Sequence, residues 1–246
     1  MKVVIIGGGI AGVSLGILLH KLGTDFVINE KESGIPARGN AFLMHADGVS
    51  ILKKIMGEDL HSIELPGQFI DTFTLKRPDG TELKYIKMEP WQCMRRSSLI
   101  EVLYSLIPLE KFKKNRTFLR FLYDDVTGKA ISAEFNDGTI EYGDIFVGAD
   151  GSRSMVRQSL FGNTNFTPIE VKEIIGIVSM PDAVAESPHI FTKYLSGTKG
   201  LSFGYIPTSA SEFVWFIQFD SRFETKDALN RENMKDFCHD LMKDFP

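Results

Sequence analysis

Cysteine is scarce in this sequence and long apolar runs are missing, and each shortage removes a class of protein. The two cysteines, Cys93 and Cys238, argue against a disulfide framework and for a reducing, cytoplasmic setting. Neither has a cysteine or histidine nearby at metal-ligand spacing, the five histidines are scattered, and no H-E-x-x-H occurs. No metal site is expected. No stretch of about 18 apolar residues exists, so no membrane-spanning helix is expected. A formal net charge of −4 offers no electrostatic case for nucleic acid or an anionic membrane. The one basic cluster, Lys111 to Arg116, reads as a solvated loop. There is no internal repeat and no low-complexity segment. What remains is ordinary globular composition, 43% hydrophobic and 24% charged over 246 residues, enough for one large or two small domains.

Glycine, by contrast, is placed with purpose. Met1–Ile6 is a Val- and Ile-rich run of the kind that forms a buried parallel strand. It stops at Gly7-Gly8-Gly9-Ile10-Ala11-Gly12, after which Val13, Leu15, Ile17, Leu18, Leu19 and Leu22 recur at helical spacing. Gly23 supplies a helix stop, Asp25–Asn29 reads as a second strand, and Glu30 ends it with Lys31 beside it. This is a β-α-β unit around G-x-G-x-x-G. Gly7 permits the tight turn, Gly9 lets backbone approach a pyrophosphate, and Gly12 lets the helix pack closely on the strand. Ile10 and Ala11 complete the helix N-terminus, whose unpaired N–H groups and positive dipole end suit phosphate. Glu30 lies eighteen residues after Gly12, near the spacing that sets a carboxylate on an adenosine ribose. The unit predicts an adenine dinucleotide. Two other signals in the stretch fail on context. Three glycines interrupt what would be a signal peptide, and the Ser14 of a G-x-S-x-G match falls inside the helix rather than on the turn after a strand.

Further along, Ser33–Gly39 is a loop, Ala41–Met44 is extended, and Asp47–Met56 is helical. Gln68–Leu75 and Glu82–Met88 form a hairpin through Pro78-Asp79-Gly80. Ser97–Ile107 is a helix stopped by Pro108. A β-meander follows, Thr117–Tyr123, Ala130–Phe135 and Thr139–Tyr142, then a short buried strand, Asp144–Val147. Beyond residue 167 aromatic and β-branched segments dominate: Val171–Ser179, Ile190–Leu195, Gly200–Ile206 and Glu212–Phe219, with a last helix over Asn233–Asp244. The expected fold is α/β: a Rossmann-like dinucleotide domain with a β-meander, plus a mostly antiparallel sheet domain of α+β type. The second informative stretch is Gly148-Ala149-Asp150-Gly151, a turn opening a short helix with Arg153 and Arg157. A carboxylate and two guanidiniums there suit a polar or phosphorylated ligand. Equally, Asp150 could cap the helix by accepting backbone N–H bonds while the arginines are solvated.

In these motifs the sequence resembles the FAD-dependent aromatic hydroxylases, single-component flavoprotein monooxygenases like para-hydroxybenzoate hydroxylase. Gly7, Gly9, Gly12 and Glu30 match the family's first FAD motif. Gly148, Ala149, Asp150, Gly151, Ser154, Val156 and Arg157 match its D-G motif, which implies contacts to FAD and a role when NAD(P)H docks. Arg96, Leu99 and Leu103 match R-x-x-L-x-x-x-L, whose arginine reaches the ribityl–phosphate portion of the flavin. Arg38-Gly39 resembles the flavin-side loop. The resemblance implies a discontinuous FAD-binding domain over residues 1–67 and 93–167, and a substrate domain over 68–92 and 168–246. The family's late G-D-A-A-H-like motif has no counterpart here, so the expectation is that this chain is a fragment of a longer polypeptide lacking the C-terminal part of the FAD domain.

The activity implied is that of an NAD(P)H-consuming monooxygenase. NADH or NADPH, a transient co-substrate, reduces bound FAD, and a flavin C4a-(hydro)peroxide transfers one atom of O2 to an aromatic or other electron-rich small molecule. The sequence offers no side-chain nucleophile, and no residue is assigned as catalytic. Phe191, Tyr194, Phe203, Tyr205, Trp215 and Phe216 could line a pocket or form core. Two other readings stay open: a reductase of the same superfamily, and a non-catalytic dinucleotide-binding fragment. A halogenase is disfavoured because Phe213–Gln218 lacks W-x-W-x-I-P. Nothing selects NADH over NADPH or sets an oligomeric state.

Overall fold

The computed structural model describes residues 1–34, 40–57, 65–162, 166–197, 200–223, 233–243 and 245. The chain divides into two compact units, Met1–Gly39 with Ser50–Leu65 and Ser97–Phe166, and Asn40–Val49 with Pro66–Arg96 and Thr167–Pro246.

The first unit is built on a parallel sheet of β1 (Lys2–Ile6), β2 (Asp25–Asn29), β6 (Phe112–Lys113) and β10 (Ile145–Gly148), in the order β10-β1-β2-β6. β1 is buried almost completely because both faces of the sheet are covered, which is why its sequence runs apolar without alternation. One face takes the antiparallel meander of β7 (Phe118–Tyr123), β8 (Ala130–Phe135) and β9 (Ile140–Tyr142). Val4, Ile6 and Val27 pack there against Phe118, Phe121, Ala133 and Phe135. Against the other lies α1 (Ile10–Lys21), so close that a Cβ on Gly16 would stand 2.7 Å from Ile28 Cδ1. α1 ends in a Schellman motif: Gly23 at φ +63° donates to His20 and Thr24 donates to Leu19. α3 (Arg96–Ser105) buries Leu99, Ile100 and Leu103, and α4 (Met155–Phe161) follows β10.

The second unit is a seven-stranded, mostly antiparallel sheet. Its strands are β3 (Ala41–Met44), β4 (Gln68–Lys76), β5 (Glu82–Arg95), β11 (Val171–Ser179), β12 (Ile190–Leu195), β13 (Ser202–Pro207) and β14 (Glu212–Asp220). The order is β11-β14-β13-β12-β4-β5-β3, and only the β12–β4 pair is parallel. β5 runs seven residues past the expected Met88, up to Arg95. Pro90 lies within it, where the ladder jumps from Ile70↔Trp91 to Thr72↔Lys87, so no paired N–H is required of it. Two short helices complete the unit, α5 (Pro181–Glu186) and α6 (Met234–Met242). Phe237, Leu241 and Phe245 pack on Ile217, Phe219 and Leu201. α2 (Ala46–Met56) runs across the boundary between the units. Among the described residues no helix is long and apolar enough to cross a membrane, and no cluster of His, Cys, Asp or Glu could hold a metal ion.

Candidate functional site

The two informative turns both leave the C-terminal edge of the parallel sheet, from neighbouring strands. β1 pairs β10 with Ile6 opposite Gly148, and Ala149 N–H donates to Ile6 O at 2.7 Å. Gly7, at φ +112°, sits directly under the second turn: a Cβ there would collide with the Ala149 carbonyl and stand 2.7 Å from Asp150 N. Gly12 is equally confined, because a Cβ on it would strike the carbonyl of Gly7. The first glycine thus lets one turn nest against the other, and the last lets α1 start beneath the turn. In an α/β sheet this edge, outside the carboxyl ends of the strands, is where ligands bind.

Gly8 is the position that sequence reasoning passed over. Its Cβ would stand 2.6 Å from Phe112 Cζ and 2.9 Å from Glu30 Cβ. Its N–H donates to Glu30 Oε2 at 2.6 Å, and its carbonyl accepts the Tyr104 hydroxyl at 2.8 Å. Tyr104 comes from α3 and packs on Phe112, ring centres 4.6 Å apart. Because a trans peptide points its C=O and the next N–H in opposite directions, Tyr104 turns the Gly9 N–H away from itself. Gly7 N–H is likewise engaged, donating to Asn29 O at 2.8 Å. α1 then begins after Gly9, which has ordinary extended backbone and offers no side-chain cap. The first N–H groups of the helix, from Ile10 onward, have no intrahelical acceptor. An uncapped helix start of this kind is suited to an anion.

Glu30 closes the loop from the other side. Each carboxylate oxygen takes one backbone N–H, Gly8 on Oε2 and Glu32 on Oε1 at 2.9 Å. A carboxylate has about four acceptor positions, so two remain for hydroxyl donors. Its backbone is clamped as well: Glu30 N–H donates to Lys113 O and Glu30 O accepts from Arg116 N–H. The Arg116 guanidinium reaches Asn29 Oδ1 at 3.1 Å, Glu141 Oε1 at 2.7 Å and Asp137 Oδ2 at 3.3 Å. The Lys111–Arg116 cluster is therefore not a plain solvated loop. Phe112 and Lys113 form β6, Lys111 pairs with Asp25 at 2.7 Å, and Arg116 is largely buried among its partners. Lys31 is exposed beside Glu30.

The second turn is occupied by itself. Asp150 Oδ1 accepts the Ser154 hydroxyl at 2.6 Å, and Oδ2 accepts the N–H groups of Met155 at 2.7 Å and Val156 at 3.2 Å. Ser154 is the N-cap of α4 and accepts from Arg157 N–H at 2.9 Å. Arg157 turns back to donate to the Ser152 carbonyl at 2.5 Å and lies over Phe166. Gly151 holds φ +85° with open space around it, so there the backbone conformation alone asks for glycine. Of the other expected residues, Arg96 opens α3 at the end of the second unit, exposed, and Arg38 lies outside the described residues. Gly7, Gly8, Gly12, Glu30 and the Ala149–Asp150 peptide form one cluster.

This geometry agrees with what the chain is similar to. A family profile described as "FAD binding domain" matches residues 1–244. Monooxygenase 2 of Arabidopsis thaliana is 25% identical over 249 residues, covering 99% of this chain and 59% of that protein. The FAD-dependent urate hydroxylase of Mycolicibacterium vanbaalenii is 26% identical over 230 residues, covering 88% of this chain and 56% of that protein. The chain thus spans a little over half the length of these two relatives. Among solved structures, Klebsiella pneumoniae HpxO complexed with FAD and uric acid superimposes with a TM-score of 0.81 at 19% identity, over 100% of this chain and 62% of that one. Pseudomonas aeruginosa PqsL in complex with 2-aminobenzoylacetate gives 0.78 at 20% identity, over 90% and 61%. At such identity the likeness is one of fold.

Proposed function

Since the chain belongs to the FAD-binding-domain family, we propose that it holds the flavin of a monooxygenase that uses NADH or NADPH and O2 to place one oxygen atom on an aromatic or other electron-rich small molecule. The balance is substrate–H + O2 + NAD(P)H + H⁺ giving substrate–OH + H2O + NAD(P)⁺. FAD would supply the redox chemistry, passing the electrons of the nicotinamide to oxygen.

The observation that carries this reading is an α1 N-terminus left without a side-chain cap beneath a glycine turn, with Glu30 hydrogen-bonded across it. The residues fit the cofactor. Gly7, Gly9, Ile10, Ala11 and Gly12 supply backbone and space for a pyrophosphate. Glu30 has acceptor capacity left for ribose hydroxyls, with Lys31 beside it. Arg96 and Arg38 are assigned to the flavin side by the family's pattern, as are Asp150, Gly151 and Arg157. The Asp150 carboxylate uses about three of its four acceptor positions on α4. Its part toward the flavin is therefore mainly to hold the turn over Gly7. The protein's further tasks are to orient the substrate and exclude water.

Titrating FAD into this chain, followed by flavin fluorescence and absorbance, tests the binding. Saturable binding with a perturbed flavin spectrum is expected. Oxygen uptake coupled to NAD(P)H oxidation by the polypeptide that carries this chain tests the reaction. NAD(P)H consumption that requires another acceptor instead of O2 would replace the monooxygenase with a reductase.

A further inference from the structure

Asn29 is out of place in its row. Alternation along β2 puts it on the same face as Val27, where Val4, Ile6, Phe118 and Phe135 make an apolar core. An apolar side chain would fit that row with no hydrogen bond to satisfy, yet the position carries an amide only 1% exposed. The amide oxygen accepts from Arg116 Nη1 at 3.1 Å, while Nδ2 has no hydrogen-bond partner among the described residues. The bond to Arg116 is what this buried amide contributes.

Arg116 reaches it from a segment with an unusual bend. β6 pairs with β2 at only two positions, Ile28↔Phe112 and Asn29↔Lys113, too short a ladder to hold the segment by itself. Two residues on, Asn115 takes φ +62°, the one non-glycine residue with positive φ among those described. The bend turns the chain so that Arg116 N–H donates to Glu30 O at 2.9 Å, just after Lys113 O has taken Glu30 N–H at 2.8 Å. The Arg116 guanidinium then spans three elements: Asn29 on β2, Glu141 on β9 at 2.7 Å, and Asp137 in the β8–β9 turn at 3.3 Å. Asn136 of that turn holds the next residue, accepting Thr117 N–H on Oδ1 at 2.8 Å and donating its own N–H to Thr117 O at 2.9 Å. Lys2 Nζ takes the second oxygen of Glu141 at 3.1 Å. A guanidinium is a rigid planar fork, so one inflexible group sets the end of β2 against the meander.

All of this converges on one residue. Glu30 follows Asn29 directly, and both its main-chain groups are bonded within the Lys113–Arg116 segment. A left-handed asparagine and a buried amide at the same junction mark a place where position is over-determined.

We propose that Arg116 is a positioning residue for Glu30: through Asn29 and the Glu30 carbonyl it fixes where the carboxylate presents its two open acceptor positions to the ribose hydroxyls of the dinucleotide. The proposal rests on the reading of Glu30 as the ribose-binding acid.

ADP and 2′-deoxyADP are the probes, because both carry adenine and pyrophosphate and they differ in one ribose hydroxyl. Titrated calorimetrically into this chain, ADP should bind at least about tenfold more tightly, the size of one hydrogen bond to a charged group. Arg116→Lys keeps a cation beside Glu141, but one ammonium cannot span the three acceptors. Asn29→Leu removes only the limb toward β2 and leaves the Arg116–Glu141 pair in place, so it carries the test if Arg116→Lys unfolds. Each variant should cut the preference to about threefold or less, with 2′-deoxyADP affinity within about twofold of wild type. Glu30→Gln should abolish the preference, and adding Arg116→Lys to it should weaken ADP no further, since a residue acting through Glu30 has nothing left to act on. Melting temperatures identify the folded variants. An unchanged preference in either folded variant, an equal loss of both ligands, or a full Arg116→Lys effect on top of Glu30→Gln would each overturn the proposal. Failure of the underlying reading looks different: a wild-type chain that binds the two probes equally has no ribose contact at Glu30, one that binds neither has no dinucleotide site, and the proposal falls with either.

Discussion

β1 and β10 are neighbours in the parallel sheet, and each ends in a glycine-containing turn that opens a helix, yet the two helix starts are treated in opposite ways. The start of α4 is filled from within: Ser154 caps it and the Asp150 carboxylate takes two further N–H groups and the Ser154 hydroxyl. The start of α1 is left to glycine, and its neighbouring carboxylate, Glu30, bonds the turn rather than the helix. A capped helix end needs no ligand, whereas an uncapped one beside a glycine turn is a place for an anion. The lesson is that one turn leaves its helix start open and the other closes its own. The positive-φ glycine of each turn shows the same division. Gly7 is pressed on by the Ala149–Asp150 peptide, while Gly151 has open space.

The sharpest way to break the contrast is Gly7→Ala. A Cβ at φ +112° must displace backbone of the second turn, so strain and overpacking act together, and a loss of about 3 kcal/mol or more is expected in urea unfolding. A near-wild-type midpoint would mean that the two turns do not nest. Asp150→Ala ranks next: removing the carboxylate from α4 should cost about 1–2 kcal/mol in the same measurement. No loss would show that Ser154 caps α4 unaided. Gly151→Ala should cost only about 1 kcal/mol, the price of φ +85° without a collision. Equal losses at Gly7 and Gly151 would erase the distinction. Smallest in stability is Tyr104→Phe, under about 1 kcal/mol for one hydrogen bond, but with FAD affinity down several-fold, because the Gly8–Gly9 peptide is no longer held. A stability loss with unchanged FAD affinity would make Tyr104 a packing residue only.

Much of this was legible before any coordinates, and the reason is locality. The strand, glycine turn, helix and Glu30 follow one another within a single unit, so period and spacing carry the information. The mostly antiparallel second sheet was legible from β-branched and aromatic runs in the same way. Gly8 escaped notice because the G-x-G-x-x-G pattern leaves its position free, and its need for glycine comes from Phe112, far along the chain. Tyr104 lies on a helix whose sequence pattern marks only Arg96, Leu99 and Leu103, and its partner is a carbonyl, which no side-chain pattern records. The basic cluster misled because β6 is two residues long and becomes a strand only by pairing with β2. The Arg95–Glu212 contact joins strands four places apart in the second sheet, which strand periodicity does not encode.

The central claim, that the open start of α1 is where the cofactor's phosphates bind, is tested most directly by Gly9→Asp. Gly9 has ordinary extended backbone, so an aspartate there can cap the helix in the manner of Asp150 and Ser154 on α4. FAD should be titrated into wild type and variant side by side, with melting temperatures recorded on both. The account predicts a variant as stable as wild type or more so, by a few tenths of a kcal/mol, with FAD binding weakened at least tenfold by the added charge. Undiminished FAD binding by a stable Gly9→Asp chain would contradict it.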